Sequence, residues 1–364
     1  MSLLYDDAQL AIATESARVL AARHKPETLL ALLEQQGEYD TVFWDTCKGQ
    51  GWTGIALLDD AGGLGLSLIE LGLVAKAAGA VCCGAPFLTS SFGAARGILA
   101  HGSDVSQAAW VEKLASGAAI GVIAFGEGQS PIPSHPQVTF EDGKLNGMKP
   151  AVSGSAHADV AVVLAAENGV PVLVVAALDG VARATFNTFD NSRCTADLTF
   201  EDTPAEIMLR GPDALTAALN ILALQAVVTA HEQVGGAEAL MLQARDYANT
   251  RRAFGSLIGA FQAVKHKIAE LYALVELARA NALHAAAREG QPDFLKAAAA
   301  ARLSATEAYD TAARDCVQIH GGIGVTWEAG LHLHQRRART LAIEQGNSLF
   351  WEDVLADELL GVAA

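Results

Sequence analysis

The sequence contains 364 residues, of which 51% are hydrophobic and 18% are charged. This length exceeds what one hydrophobic core usually supports, so it predicts two or three domains, and the composition excludes a disordered protein. The formal net charge of −16 argues against nucleic acid or an anionic membrane surface as a general partner.

Residues 1–118 are predicted to form a helical domain. An aspartate near the N-terminus can cap a first helix whose apolar residues recur every three or four positions. Further helices are expected at 29–36 and 39–50. A glycine-rich segment at 59–67 is interpreted as a loop that enters the next helix at Ser67.

The composition changes near residue 119, and residues 119–210 are predicted to form a β domain. A short apolar strand is expected at 119–125. The Asp142-Gly143 dipeptide between two apolar runs predicts a hairpin. Further strands are expected at 160–165, 170–177, 182–186 and 196–200. Short strands separated by turn signals are typical of a small barrel or sandwich.

Residues 211–364 are again predicted to be helical. An alanine-rich helix is expected at 295–317, and its alanines permit close approach to a neighbouring helix. Apolar residues recur at alternating spacings of four and three, as in the seam of an antiparallel bundle: Val264, Ile268, Leu271, Val275, Ala278 and Ala282. We expect the seam and the alanine-rich helices to form the main oligomer interface. The fold class predicted is α+β.

The five cysteines are an odd number without CxxC spacing, so reduced thiols in a cytoplasmic protein are expected rather than a disulfide framework. His332 and His334 diverge on the predicted helix, and no metal site is expected. The N-terminus carries acidic residues where a signal peptide has bases, and no apolar run is taken to approach the roughly 18 residues of a membrane span.

An anionic ligand of so acidic a chain would need a local basic patch. A single pair of basic residues is more often a solvated helix face than a binding site. The candidates are Arg251 with Arg252, Lys265 with Lys267, and Arg336, Arg337 and Arg339.

The segment from Gln318 to Gly324 carries three glycines in its last four positions. A helix end followed by a turn explains such glycines, whereas a Rossmann phosphate loop would need a preceding strand. The segment resembles the C-terminal signature of the acyl-CoA dehydrogenase superfamily. The resemblance spans nearly the whole chain and implies a helical N-terminal domain, a small middle β-barrel and a C-terminal four-helix bundle.

The resemblance also implies FAD, held in two halves by neighbouring subunits. Arg251 and Phe254 stand in a sequence similar to the family's Arg-x-x-Phe-Gly element, and Gln262 matches a glutamine seven residues beyond its glycine. Gln318, Gly321 and Gly322 match the family's Gln-x-x-Gly-Gly. These residues are expected to contact the adenosine-pyrophosphate end of FAD, where an arginine can bind phosphate oxygens with two hydrogen bonds.

The half of the site that holds the flavin ring departs from the family pattern. Of the family's Thr-Glu-Pro-Gly, only Glu127 remains. The family's Trp-Ile-Thr aligns on Ala151, Val152 and Ser153, so the stacking aromatic residue is absent and only the hydroxyl of Ser153 is kept. Loss of stacking worth about 0.5–1.5 kcal/mol weakens such a site without abolishing it.

The family's catalytic base is a glutamate that takes the α-proton of an acyl-CoA thioester. The alignment places Gln345 at that position, and an alternative base position falls on Gln225. Glutamine cannot accept a proton at neutral pH. Glu344 lies one residue away, which turns a helical side chain by about 100°, and it is the remaining candidate for the catalytic residue.

Three interpretations stay open. The chain could contribute FAD contacts to a two-component acyl-CoA dehydrogenase whose paralogous partner supplies the flavin pocket and the base. It could be a self-sufficient homotetramer that uses Glu344, or a flavin-free structural subunit. The resemblance further implies an acyl-CoA substrate, from fatty acid or steroid catabolism, and electron-transfer flavoprotein as the electron acceptor.

Overall fold

The computed structural model describes residues 5–23, 26–83 and 86–361. It divides into two compact units. The first unit contains the described parts of 1–30, 72–83 and 226–364, and the second contains those of 31–71 and 84–225. The division into three domains expected from the sequence stays a prediction.

The helices of the described chain account for most of its residues. In chain order they are α1 (Asp7–Arg23), α2 (Pro26–Leu33), α3 (Thr41–Gly49), α4 (Leu68–Ala80), α5 (Phe87–His101), α6 (Asp104–Ser116), α7 (Pro212–Thr250), α8 (Gln262–Ala287), α9 (Phe294–His320), α10 (Leu331–Leu341) and α11 (Ser348–Leu360).

The strands lie between α6 and α7, apart from one short hairpin. They are β1 (Gly121–Ala124), β2 (Thr139–Glu141), β3 (Lys144–Val152), β4 (Val160–Glu167), β5 (Val170–Ala177), β6 (Ala182–Thr185), β7 (Ala196–Pro204) and β8 (Glu206–Arg210), followed by β9 (Arg252–Ala253) and β10 (Ser256–Leu257). The predicted α+β class is confirmed.

The second unit is built on one mixed sheet in the order β6-β7-β3-β2-β4-β5-β8, with β1 also paired to β4. β4 pairs in parallel with β1 and β2, and its other neighbour is antiparallel. Its residues from Val160 to Ala166 are buried on both faces, as expected of a central strand with an unbroken apolar run. The predicted hairpin at Asp142-Gly143 is confirmed as β2–β3. Strand β8 was not predicted, because its sequence lacks a run of alternating apolar residues.

The first glycine-rich segment is a loop, as interpreted from the sequence. Ser67 precedes α4 and forms a capping box with Glu70. The Ser67 backbone N–H donates to Glu70 Oε2 at 2.9 Å, and the Ser67 hydroxyl donates to the same oxygen at 2.5 Å. This pair of contacts fixes the start of α4.

The apolar seam of α8 faces the chain's own α9 rather than solvent. Leu271, Val275, Ala278 and Ala282 are buried, and α8 and α9 pack along their length. The antiparallel bundle is therefore confirmed. These four seam residues pack within the chain, whereas Val264 and Ile268 are only half-buried. That the helices of residues 213–360 form the main oligomer interface stays a prediction.

Helix α7 contains a long apolar run that was not predicted from the sequence. Among the described residues it is the one helix long and apolar enough to cross a membrane, and 72% of its most apolar window is buried inside the protein. The expectation that no run approaches 18 residues was wrong. Burial of this kind is typical of a core helix.

Two glycines allow α4 and α7 to approach within backbone contact in the first unit. A Cβ at Gly79 would lie 1.9 Å from the carbonyl oxygen of Glu232, and a Cβ at Gly235 would lie 1.9 Å from that of Lys76. Both obstacles are backbone atoms, which cannot rotate away. Lys76 then reaches Glu238 one turn further along α7, with 2.7 Å between Nζ and Oε2.

We expect Gly235→Ala to lower the free energy of unfolding by about 1–3 kcal/mol, because the added methyl group forces the two helices apart. Urea unfolding followed by circular dichroism measures the change. Gly49→Ala is the matched control, since a Cβ at Gly49 meets nothing within 4 Å. Equal stability of the two variants would contradict the close helix approach.

Candidate cofactor site

The two sequence segments expected to contact FAD lie together in the first unit. Tyr247, near the end of α7, stacks on His320 at the end of α9, with 4.1 Å between ring centroids and 22° between ring planes. Arg251 follows Tyr247 by one helical turn, and Gly321 follows His320 directly. The stacked rings therefore join the arginine segment to the glycine segment.

A cleft of about 460 Å³ lies beside these rings. It is formed by the β9–β10 hairpin, the start of α8 and the last turn of α9, and its walls are mostly apolar. Phe254 and Gln318, both expected at the cofactor, share this cleft. The lining residues are Ala253, Phe254, Ile258, Phe261, Ala263, Val264, Lys267, Gln318 and Ile319.

Phe254 stands at the tip of the β9–β10 hairpin with 97% of its surface exposed. Its φ of +51° is rare for a residue with a side chain, and such a conformation costs of order 1–3 kcal/mol. The ring lies edge-to-face with that of Phe261, with 6.3 Å between centroids and 78° between ring planes. An exposed aromatic ring in a strained conformation indicates a ligand or partner surface rather than a packing role.

Of the three candidate basic patches, the one at the end of α7 remains available. Arg251 and Arg252 are exposed, and neither has an ion-pair partner within the described parts of the chain. Lys267 lines the cleft but lies 2.9 Å from Asp315 Oδ2. The carboxylate of Asp315 therefore cancels part of the positive potential that Lys267 places at the cleft.

The third patch is not a surface for an anion. Arg337 is 1% exposed and its Nη1 lies 2.7 Å from Oε1 of the buried Glu232. Arg339 lies 3.1 Å from Asp310. Arg337 and Arg339 are both paired with carboxylates of the chain itself, so this candidate patch does not present a joint basic surface.

The glycine segment leaves the backbone open to a ligand. Gly321 ends α9 with φ of +63° and ψ of −140°, and a Cβ at Gly321 or Gly322 would meet nothing within 4 Å. Gln318 is exposed one turn earlier. Gln262 is exposed at the first position of α8, between two residues that line the cleft. A ligand could therefore approach the backbone here without steric hindrance.

Ser153 belongs to the second unit, at the end of β3, and is half-buried. Ala151, at the position of the family's aromatic residue, has φ of +51°, and its N–H donates to Asp197 Oδ1 at 2.7 Å. The register of β3 against β7 shifts between Lys149 and Val152. This bulge presents an exposed alanine methyl group where stacking would need a ring.

Glu127, the residue retained from the flavin-ring motif, is engaged by the protein itself. Its Oε1 accepts a hydrogen bond from the buried Lys149 Nζ at 2.5 Å, and its Oε2 accepts from the N–H of Gln137 at 2.6 Å. Burial acts to raise the pKa of Glu127, but these hydrogen bonds and the lysine charge lower it below its ordinary value. The glutamate therefore holds the loop after β1 in place.

Lys149 is completely buried and also donates to the carbonyl oxygen of Phe125 at 2.9 Å. Burial lowers the pKa of Lys149 to about 8, although the hydrogen bond that Lys149 donates to Glu127 and the charge of that carboxylate oppose the change. The unfolded chain therefore binds more protons than the folded protein between about pH 8 and the ordinary lysine pKa of 10.5.

We expect the free energy of unfolding to rise with pH across that interval through this group. The rise should be smaller in Lys149→Met, which removes the titrating amine, and unchanged in Lys144→Met, an exposed lysine on the same strand. Urea unfolding at several pH values measures the slopes. Parallel slopes for wild type and Lys149→Met would contradict the assignment.

The turn that follows α10 carries both Glu344 and Gln345. Arg302, buried in α9, donates to the carbonyl oxygens of Leu341 and Glu344, the latter at 2.8 Å. Gln345 has φ of +53°, and its side-chain oxygen accepts from the Thr229 hydroxyl at 3.0 Å. The Glu344 side chain is half-buried beside this guanidinium. Burial lowers the pKa of Arg302 to about 10, and the negative charge of Glu344 opposes that change.

Gln225, at the alternative base position, is buried with 1% exposure in the second unit. Its amide nitrogen donates to the carbonyl oxygens of Thr89 and Ser90 at 3.2 and 3.3 Å. Gly93 makes room for it, because a Cβ there would lie 2.2 Å from the amide nitrogen. Gln225 thus ties α7 to α5.

Lys149 and Arg302 were missed in the sequence, although a signal for each is present. Lys149 lies four residues after the buried Leu145, on the same face of β3. Arg302 lies at helical spacing among the buried alanines of α9, including Ala298 and Ala305. A charged residue at a core position of either pattern indicates a buried, paired group.

Comparison with known protein families gives two matches. Residues 6–118 match the family model described as acyl-CoA dehydrogenase, N-terminal domain, and residues 215–360 match the one described as acyl-CoA dehydrogenase, C-terminal domain. The chain is also 30% identical over 330 residues to "Acyl-CoA dehydrogenase IpdE2" of Mycobacterium tuberculosis, an alignment that covers 89% of each protein.

Two solved structures share the fold of this chain over nearly its whole length. A steroid ACAD, Tcur3481-Tcur3483, has 25% sequence identity and a TM-score of 0.86 over 98% of both chains. A chain of the ChsE4-ChsE5 complex from Mycobacterium tuberculosis has 24% identity and a TM-score of 0.89 over the full length of both chains. The second likeness shows the fold alone.

Proposed function

Because this chain belongs to the acyl-CoA dehydrogenase family, whose members are FAD-dependent oxidoreductases acting on acyl-CoA, we propose that it is one subunit of a two-component dehydrogenase. It contributes contacts to the adenosine-pyrophosphate end of an FAD, while a paralogous partner chain supplies the flavin-ring pocket and the base. The observation that carries the proposal is a contrast. An apolar cleft lined by Phe254 and Gln318 follows the exposed Arg251 and Arg252 in the chain, whereas the flavin-ring segment lacks its aromatic residue.

The residues at the cleft fit an adenosine pyrophosphate. Apolar walls and the exposed ring of Phe254 suit a nucleoside, since aromatic residues stack on purines. The exposed Arg251 suits the phosphates, which a guanidinium binds with two parallel hydrogen bonds. The open backbone at Gly321 and Gly322 permits a close approach. In this proposal Gln262 and Gln318 donate amide hydrogen bonds to the same end of the cofactor.

The flavin-ring segment of this chain fits the cofactor poorly. Ala151 offers no stacking surface, and Glu127 is bound to Lys149 instead of facing a ligand. Ser153 keeps one hydroxyl, which could accept or donate a single hydrogen bond. A site with these changes would bind the ring weakly, and this favours a flavin ring held by the partner chain.

FAD held at its adenosine-pyrophosphate end by Arg251, Gln262 and Gln318 would supply the acceptor for a hydride from the β-carbon of the acyl group. The α-proton must pass to a carboxylate, and neither Gln345 nor Gln225 can take it. Gln345 instead accepts a hydrogen bond from Thr229. Glu344 is the remaining carboxylate of this turn, and its half-buried side chain stands beside the buried Arg302 guanidinium. The base is therefore assigned to the partner chain.

The substrate class that this proposal favours is a bulky CoA ester, such as a steroid side chain, because a steroid ACAD shares the fold at 25% identity. A heteromeric assembly with a paralogous chain is part of the proposal, because the flavin-ring segment and both base positions of this chain depart from the family pattern. Electron-transfer flavoprotein is the proposed electron acceptor, and the cytoplasm the proposed location.

Flavin stoichiometry tests the proposal. The chain is purified alone and with its co-encoded paralogue, and bound FAD is measured by absorbance against protein concentration. We expect little FAD on the chain alone and one FAD for every two chains in the complex. One FAD on every chain of an active homotetramer would overturn the proposal and favour a self-sufficient enzyme. If the complex were fully active although FAD made no contact with this chain, the chain would be a structural subunit.

Glu344→Gln separates the two sources of the base. We expect unchanged turnover of the complex, because the partner carries the catalytic carboxylate. If Glu344 were the base, turnover would fall by at least about 10²-fold. Single-turnover reduction of FAD by an acyl-CoA measures the step directly, and Glu352→Gln, on the exposed face of α11, is the control.

A further inference from the structure

The cleft of the candidate cofactor site has two polar side chains in an otherwise apolar lining. Among the described residues that line it, Lys267 on α8 is the one with a charge, and Gln318 on α9 is the other polar residue. Apolar walls offer a ligand no hydrogen bonds, so these two side chains decide how a bound molecule is oriented.

Asp315 on α9 holds the ammonium group of Lys267 in place. Its side chain is 7% exposed, and its Oδ2 accepts a hydrogen bond from Lys267 Nζ at 2.9 Å. The other carboxylate oxygen, Oδ1, accepts from Arg314 Nε at 3.2 Å, so both oxygens are engaged. A lysine side chain has many rotamers of similar energy, and the contact with a buried carboxylate restricts them.

Lys267 and Gln318 both keep hydrogen-bonding capacity for a ligand. An ammonium group has three N–H donors, and Asp315 takes one of those of Lys267. The other two have no acceptor among the described residues. Gln318 lies three residues after Asp315 on α9, and its side-chain amide has no hydrogen-bond partner within the described ranges. The cleft therefore offers unused donors from α8 and an unused donor and acceptor from α9.

The carboxylate beside Lys267 decides which part of a nucleotide this lysine suits. A phosphate is bound best by an uncompensated cation, and Arg251 is exposed without an ion-pair partner among the described residues. At Lys267 the charge of Asp315, 2.9 Å away, offsets the attraction for another anion. The ammonium group still donates hydrogen bonds, so an uncharged group with acceptor atoms, such as a purine or a ribose, fits this position better.

We propose that Lys267 is a further cofactor-binding residue, which donates hydrogen bonds to the adenosine of FAD, and that Asp315 is the residue that positions it. Gln318 adds its amide contacts from α9, and the apolar walls cover the adenosine rings. The phosphates are bound by Arg251. This inference rests on the proposed function, because it takes the cleft to hold the adenosine-pyrophosphate end of the cofactor.

Two fragments of the cofactor separate these contacts. Adenosine and inorganic pyrophosphate are titrated separately into the full chain without FAD, and calorimetry gives a dissociation constant for each. We expect Lys267→Met to weaken adenosine binding at least about tenfold, because a hydrogen bond from a charged donor accounts for a loss of this size. Pyrophosphate binding should be unchanged in that variant. Arg251→Ala should weaken pyrophosphate binding and leave adenosine binding unchanged.

Asp315→Asn separates a positioning role from a merely structural one. The substitution keeps the size of the side chain but removes the charge that orients and offsets the ammonium group. We expect adenosine binding to weaken and pyrophosphate binding to strengthen, because Lys267 then acts as an uncompensated cation. Arg314→Met is the matched control. It removes the other cation bound to Asp315, which is 65% exposed and outside the cleft lining, and should leave adenosine binding unchanged.

Adenosine binding that is unchanged in Lys267→Met, or absent from the wild-type chain, would overturn the inference. Weaker pyrophosphate binding in Lys267→Met would also overturn it, because that result would assign the lysine to the phosphates. If Asp315→Asn weakened the binding of both fragments, its positioning role would be refuted. The flavin stoichiometry of the complex is a separate measurement, so a failure of this inference is distinguishable from a failure of the proposed function.

Discussion

Arg251→Ala is expected to weaken the retention of FAD by the assembled protein roughly 10- to 150-fold. A hydrogen bond to a charged group contributes about 1.5–3 kcal/mol, and that range corresponds to this loss of affinity. Arg251 is exposed beside the cleft and has no ion-pair partner among the described residues, so its charge remains available to a phosphate. Fluorescence of FAD released on dilution measures the dissociation constant.

Arg245→Ala is the matched control for that measurement. Arg245 lies on α7, six residues before Arg251, is half-exposed and pairs with its neighbour Asp246 at 2.7 Å. Its loss should leave FAD retention unchanged while removing the same charge. If both variants lost FAD equally, the effect would come from net charge, and the local contact at Arg251 would be refuted.

Arg337→Met is expected to lower the free energy of unfolding by about 3–5 kcal/mol. The substitution keeps most of the side-chain volume but leaves Glu232, which is 6% exposed, without the guanidinium that lies 2.7 Å away. Removing one partner of a buried pair leaves an uncompensated charge, which costs far more than the pair itself contributes. Urea unfolding followed by circular dichroism measures the change.

The neighbouring helix position provides the control. Arg339→Met removes an arginine of the same helix that is 64% exposed and pairs with Asp310, so the expected cost is below about 1 kcal/mol. Adding Glu232→Gln to Arg337→Met should restore part of the lost stability, because it removes the unpaired charge. A double variant less stable than Arg337→Met would show that cavity formation dominates.

The sequence predicts the helices and most strands because their apolar spacing is local information. The seam of α8 and the Asp142-Gly143 hairpin are both recoverable from neighbours a few residues apart. Strand β8 is missed because its pairing with β5 is made by tertiary contact and not by its own pattern.

The candidate site is only partly predictable for a similar reason. Motif spacing identifies Arg251 and Gln318 as members of one site, and the stacked Tyr247 and His320 rings bring their segments together. The local sequence does not show which arginines remain accessible to a ligand in the folded chain. Arg337 reaches Cys83 across 254 residues of sequence, and Arg302 reaches Leu341 across 39. Only the folded chain shows that these arginines are used internally.

The assembly of the first unit from three distant segments bears on how the chain emerges from the ribosome. Residues 31–71 and 84–225 are complete before most of the first unit exists. The segment 72–83 must then wait for about 170 further residues until α7 is complete, and these take roughly 8–35 s to synthesise. During that interval the face of α4 that carries Gly79 has no partner helix, so misassembly with other nascent chains competes with folding. Slower growth at low temperature should therefore raise the soluble yield.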